Sequence, residues 1–371
     1  MNLGQAMKQE YGHTALGKSL IILTLIAIIS GCAAFEAGNI LGAVAGISLI
    51  FQQIPGQAVV LAIGIIAGIL LWNGSIGQIA TLLGFIVAFM GICFVVTAMM
   101  LPHSIGSIFS GAFTPGIPAG AEILVLGLIG TTVVPYNIFL GSGLKHAQTP
   151  SEMKTGLLIA IGLGGFISIT ILLTGTAIAG DFSFEALAAA LNDQLGPAGA
   201  WLLGIGLFGA GLSSTLTAAL AAAITAKSLL AKTTDSEKWV ENGVRFRSVW
   251  IGVLAIGLLF GLLQLQPVPI IILAQALNGV ILPIIAVVLF LLMNNSRVLP
   301  IQYQNGPVYN LLTALVVYLT LLIGLTNLFR ALSRVLEFDL LDQTTILVVS
   351  FVIFMVLTIP IGKTFSEKIR K

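Results

Sequence analysis

Charge is what this sequence lacks. Of 371 residues only 8% are Asp, Glu, Lys or Arg, against roughly 25% in a soluble domain, so water cannot be the chain's main solvent. The formal net charge of +2 leaves no basic surface of the kind nucleic acid demands, and no nucleic-acid partner is expected. Cysteine is nearly absent: Cys32 and Cys93 lie in apolar runs without CxxC spacing, which excludes a disulfide framework and a thiolate metal site. His13, His103 and His146 are scattered, with no HExxH pair, so a zinc hydrolase has no support. Met1 to Lys18 has no apolar core and is no cleavable signal peptide. Without a nucleophile–base or metal-ligand constellation, an enzyme is not expected.

What is present is apolar bulk: 57% hydrophobic residues and a mean hydropathy of +1.08. The 42 glycines and 13 prolines fit as well, because helix breakers are commoner in membrane helices than in soluble ones. A bilayer core about 30 Å thick needs about 20 apolar residues per helix. On that basis the sequence divides into ten spans, about 19–51, 56–72, 76–101, 121–143, 153–180, 197–231, 246–266, 268–294, 308–330 and 343–363. The expected fold is an all-α polytopic membrane bundle, read as one domain over residues 1–371.

An even number of spans puts both termini on one side. Of the 16 Lys and Arg, all but Arg330 and Arg334 fall in the loops sharing that side. Basic residues collect in the cytoplasm, so both termini are expected there, in a cell membrane of prokaryotic type. Phe184 to Leu195 (FEALAAALNDQL) has helical apolar spacing and should lie along the opposite interface. Leu101 to Gly120, rich in Pro, Gly and Ser, leads into the fourth span.

Ionisable or helix-breaking residues at membrane depth are costly unless satisfied, so each is a candidate for function. The fourth span, GLIGTTVVPYNIFLGSGLKH, carries Pro135 near its middle. Proline lacks an N–H and clashes with the carbonyl four residues back, that of Thr131. Thr132, Tyr136 and Asn137 set polar groups beside that released carbonyl. Interrupted helices of this kind form ion and substrate sites in secondary transporters; the alternative is a plain proline kink. In the eighth span, IILAQALNGVILP, Pro283 disturbs the Gly279 carbonyl, and Gln275 and Asn278 share roughly one face. These amides either bind a cation through oxygen or bridge helices. Glu36, in AAFEAGNILGAVAG, is a carboxyl among apolar residues. It can carry a proton, ligate a cation or pair with an arginine. The sixth span, with Gly211, Ser213, Ser214, Ala218 and Ala222, reads as a close-packing face.

These stretches resemble one family in order and spacing. GTTVVPYNIFLGS (130–142) looks like the broken sixth helix of the Nramp family of divalent metal transporters, and EAGNILGAVAG (36–46) like its third. AGLSSTLTAALAAA (210–223) is similar to the eighth helix, and AQALNGVILPIIAVVLFLLMN (274–294) to the tenth. The resemblance implies an inverted-repeat transporter fold of the LeuT type and a divalent cation as substrate rather than cofactor. It places the Thr131 carbonyl at the metal and brings Gln275 there in one conformation; Thr132, Val134, Pro135 and Asn278 complete the candidate metal site. Glu36 falls on an acidic position of the family's proton route, and Arg245 and Arg247 resemble the basic pair facing that acid.

Three departures qualify these implications. Val134 stands where the family has a methionine thioether, removing the soft ligand that favours transition metals. The expected selectivity tilts toward harder ions, Mg²⁺ with Mn²⁺ still open. Tyr136 replaces a usual histidine, which leaves coupling to H⁺ open. Third, GQAMKQEYG (4–12) looks like the loop between the family's second and third helices, and no D-P-G-N-like run occurs. The expectation is a truncated copy, or half of a split transporter whose first two helices come from a separate polypeptide, inactive alone in liposomes. An amino-acid or amine permease of the same architecture and a non-transporting membrane remnant are the competing readings.

Overall fold

The computed structural model describes residues 1–336 apart from 75, 103, 115, 117–123, 125–126, 129–130, 132–133, 144–148, 179 and 301–302, and residues 344–359 apart from 346 and 357–358. Among them the chain is helical throughout. A short helix α1 (Leu3–Tyr11) precedes α2 (Ala15–Ile50), α3 (Gly56–Asn73), α4 (Ile76–Met100) and α5 (Ile105–Phe113). Then come α6 (Pro135–Gly143), α7 (Pro150–Gly175), α8 (Phe184–Leu195) and α9 (Ala198–Leu230). A 3₁₀ turn (Thr233–Trp239) leads to α10 (Val244–Leu262), α11 (Pro267–Met293) and α12 (Pro307–Leu336). A last apolar helix, α13, covers Leu347–Val356.

Eight of these helices are long and apolar enough to cross a bilayer, and they coincide with the first, second, third and fifth to ninth expected spans. The tenth expected span is represented by α13, its remainder lying outside the described residues. The fourth is represented by α6 and isolated helical residues before it. Three elements were not legible in the sequence: α1, over residues that resembled an interhelical loop; α5, which is capped by Ser104, its hydroxyl accepting from the Ser107 N–H; and the 3₁₀ turn. The interfacial helix expected at Phe184 to Leu195 is α8 with those same ends.

Local chemistry sets several boundaries. α1 opens on a capping box in which Asn2 Oδ1 accepts from the Gln5 N–H and Gln5 Oε1 from the Asn2 N–H. The same device, Thr149 with Glu152, starts α7 with Pro150 in its first turn. α3 ends at Gly74, whose φ of 70° is readily open to glycine.

The centre of the bundle is α2, which packs on α9, α10 and α11. Its 36 residues would extend about 54 Å at 1.5 Å per residue, so it reaches beyond the hydrocarbon or tilts within it. α2 and α9 run antiparallel and nearly touch: a Cβ on Gly204 would lie 2.6 Å from the Gly46 carbonyl oxygen, and one on Gly211 2.7 Å from Ala43 Cβ. In lipid there is no hydrophobic drive between helices, so such small-residue contact is what brings them together. The sixth span is therefore the packing face the sequence suggested. By contrast, α7 exposes nearly its whole surface, including Leu158, Ile161 and Leu163, as expected of a helix solvated by lipid tails.

Pro283 does not break α11, which continues through it to Met293. Its ring lies where a side chain at Gly324 of α12 would stand, so the ring is absorbed at a helix contact and the eighth span is continuous.

Candidate functional site in the broken fourth span

The interruption expected at Thr131 to Asn137 is present, with a different cause. Val134 is non-helical, and α6 begins at Pro135. Proline is therefore in the first helical position, where its missing N–H costs nothing and its fixed φ suits the new helix. The break lies just before the ring rather than four residues upstream of a kink. The Asn137 N–H donates to the Val134 carbonyl at 3.0 Å, closing the first turn. Thr131 is exposed, and its hydroxyl donates to the Leu128 carbonyl at 2.6 Å; Thr132 lies outside the described residues. Val134 is half-buried against the core, Pro135 and Tyr136 are buried, and Asn137 is exposed.

Tyr136 meets Phe35 edge to face, ring centroids 5.4 Å apart, and stands within electrostatic reach of Glu36 and Cys32. The broken span and the carboxyl of α2 thus share one neighbourhood. Glu36 is fully buried, and neither carboxyl oxygen has a hydrogen-bond partner among the described residues. A charged carboxylate held so would cost several kcal/mol, so the group needs a proton or an arriving cation.

The arginines expected opposite Glu36 are held elsewhere. Arg245 pairs with Asp235. Arg247 lies over the Trp72 ring, 3.7 Å from its centroid, and donates to Asn242 Oδ1 at 3.1 Å. Glu36 instead packs on Gly257, ten residues further along α10 than Arg247, or about 15 Å of helix. The 3₁₀ turn explains the difference: it folds Asp235 back onto α10 and draws Arg245 toward the bundle's end.

On α11, Gln275 is half-buried, its Oε1 without a partner among the described residues, and Asn278 is buried. A Cβ on Gly127 of the fourth span would lie 3.8 Å from Gln275 Cβ, so the eighth span meets the fourth as expected. Sequence reading missed what lies beside them. An open cavity of about 160 Å³ between α2, α9 and α11 is lined by Asn39, Ser214 and Gln275, together with Phe35, Gly211 and Phe184. Asn39 Nδ2 is also unpaired. The signal was available, since Asn39 follows Glu36 by three residues on one face of α2, but its partners depend on how α2 and α9 align.

Among the described residues no three His, Cys, Asp or Glu converge. A cation here would be held by carbonyl, amide and hydroxyl oxygens, a set suited to Mg²⁺, Ca²⁺ and Mn²⁺.

A multi-span bundle with one helix interrupted beside buried polar groups is the architecture of secondary transporters. A protein-family model described as natural resistance-associated macrophage protein-like matches residues 1–330, and the chain belongs to this Nramp family, whose members are transporters rather than enzymes. A divalent metal cation transporter MntH of Aeromonas hydrophila is 26% identical over 347 residues, covering 87% of this chain and 79% of the relative. An MntH of Erwinia tasmaniensis is 24% identical over 237 residues, 59% of this chain and 56% of the relative, so the chain spans little more than half of that protein. The solved manganese transporter of Eremococcus coleocola superposes with a TM-score of 0.64 at 18% identity, covering 99% of this chain and 81% of that one. The fold is therefore that of the Nramp transporters, the LeuT-like architecture.

Proposed function

We propose that the chain is a secondary transporter that moves divalent metal cations of the Mg²⁺ or Mn²⁺ class. The observation that carries this reading is the approach of the broken fourth span, at Gly127, to Gln275, whose Oε1 has no partner among the described residues. The names of the relatives support the substrate class. The cation site comprises the Thr131 carbonyl, Thr132, Val134, Pro135, Gln275 and Asn278. Val134 supplies no lone pair, so the ligands are hard oxygens and selectivity tilts away from soft metals.

Glu36 is the proton-exchanging group. It is the buried carboxyl nearest Tyr136, and a cation's charge can take the place of its proton. Arg245 and Arg247 belong to the rim of this route rather than to its centre. The membrane is the plasma membrane, with both termini cytoplasmic, a placement supported by the bias of Lys and Arg to one set of loops.

Thermal unfolding of the purified chain tests the substrate class. A ligand that binds only the folded state raises the midpoint as its concentration passes Kd. Mn²⁺ and Mg²⁺ should give a saturable rise, and leucine or ethanolamine none. A rise with leucine or ethanolamine alone would instead establish the permease reading.

A further inference from the structure

Two short helices converge on the last two turns of α9. A Cβ on Gly4 of α1 would collide with Ser228, and one on Gly143, the last residue of α6, with Ile224. The Lys8 ammonium of α1 donates to the carbonyl of Ala231, the residue that caps α9. Residues 224, 228 and 231 share one face of the helix, so α1 and the end of α6 are neighbours on it. They are also joined directly, because the Leu3 N–H donates to Ser142 Oγ at 3.2 Å.

Each bond meets a need left by helix geometry. The first N–H groups and last carbonyls of a helix have no partner within it. In α1 the Gln5 N–H is satisfied by Asn2 Oδ1, and the Leu3 N–H by Ser142. Lys8 sets a cation where the partial negative charge of the α9 C-terminus favours it. A helix of nine residues is too short to persist alone, so α1 is ordered by what it touches: α2, α6, α9 and α11. Leu3, Gly4, Ala6 and Met7 are buried, while Gln5 and Gln9 are exposed.

The element held by α1 is built to move. α6 has nine residues, a lever of about 13 Å, and it is severed from the preceding chain at non-helical Val134. Pro135, Tyr136 and Phe139 are buried near the break, but Gly141 and Ser142 at the far end are exposed. That far end is fastened by the packing of Gly143 on Ile224 and by the bond from Leu3. Only Gly12 to Thr14 separate α1 from α2, so α1 stays with α2 and α9 when α6 departs.

We propose that α1 is an inner clamp. It pins the far end of α6 to the end of α9, and its release lets α6 swing about the break and opens the buried groups around Tyr136 to the cytoplasm. The inference rests on the reading of the chain as a transporter with cytoplasmic termini.

Cys32 reports the opening. It is fully buried, within electrostatic reach of Tyr136, and Cys93 on α4 serves as an internal reference. In inverted membrane vesicles a membrane-impermeant trimethylammonium methanethiosulfonate is added to the cytoplasmic face, and peptide mass spectrometry follows each cysteine. Loss of one hydrogen bond shifts an opening equilibrium about two- to tenfold. Ser142→Ala and Lys8→Met should each speed modification of Cys32 by that factor and leave Cys93 unchanged. Lys8→Arg, which keeps the cation, and Gln9→Ala, on the exposed face, should both react at the wild-type rate. Unchanged Cys32 rates in Ser142→Ala and Lys8→Met would overturn the clamp, as would an equal rise at Cys93, the mark of general loosening. If Lys8→Met fails to fold, Ser142→Ala decides alone. Failure of Mn²⁺ and Mg²⁺ to raise the unfolding midpoint would remove the transporter reading and leave these rates standing.

Discussion

Gly257 on α10 lies so close to Glu36 on α2 that a methyl group at position 257 would collide with Glu36 Cγ. The glycine lets two helices close over a carboxyl that has no hydrogen-bond partner among the described residues. Gly257→Ala must therefore move a helix or the acid, a small-to-large change that costs about 1–3 kcal/mol. The control is Gly252→Ala on the same helix, where an added Cβ meets nothing within 4 Å. In thermal unfolding the first variant should melt well below wild type, and the second at or slightly above it. Equal midpoints for the two would show that Glu36 is not packed against α10.

Glu36→Gln preserves shape and removes the exchangeable proton. Calorimetric titrations of Mn²⁺ in two buffers of unlike protonation enthalpy count the protons released per bound ion. In our account Glu36 gives up its proton as the cation arrives, so wild type releases protons and binds more tightly as pH rises. Glu36→Gln should bind with fewer protons released and a flatter pH dependence. Equal release from both proteins would place the exchange on another group.

Arg245 and Arg247 differ in how closely they are held, Arg245 lying 6.0 Å from the Trp239 ring centroid and Arg247 3.7 Å from that of Trp72. Arg245 forms an ion pair with Asp235 and is about half exposed, so Arg245→Ala should change stability by no more than about 1 kcal/mol. Arg247 stacks on Trp72, which in turn meets Trp250 edge to face at 6.4 Å. Arg247→Ala should cost about 0.5–2 kcal/mol and uncover the ring face of the already half-exposed Trp72, read as a change in tryptophan emission. If Arg245→Ala proves the more damaging, the assignment of partners at this end of the bundle is wrong.

These results mark how far the sequence could be read. Span positions were legible because bilayer thickness fixes helix length, and α8 was legible because its apolar spacing is helical from Phe184 to Leu195. The break near Pro135 was visible from its ring and polar neighbours. Its position was less so, since proline opens a helix as well as kinking one, and only the backbone of Val134 decides between them. Pro283 posed the same question with the opposite answer, because Gly324 on another helix makes room for its ring. The partners of Glu36 were hidden. The resemblance pointed to Arg245 and Arg247, but Asp235 in the Thr233–Trp239 turn pairs with Arg245, and Trp72 and Asn242 hold Arg247. Asn39 went unremarked because a polar residue at helix depth acquires meaning only from what α9 and α11 place opposite it.

The central claim is that the broken span selects the ion, with Val134 where a thioether would favour soft metals. Titration calorimetry of Mn²⁺, Cd²⁺ and Mg²⁺ against wild type and Val134→Met measures this directly. The account predicts that methionine raises Mn²⁺ and Cd²⁺ affinity relative to Mg²⁺, because sulfur adds a ligand that Mg²⁺ does not use. An unchanged ratio would contradict it and move the selecting site away from the fourth span.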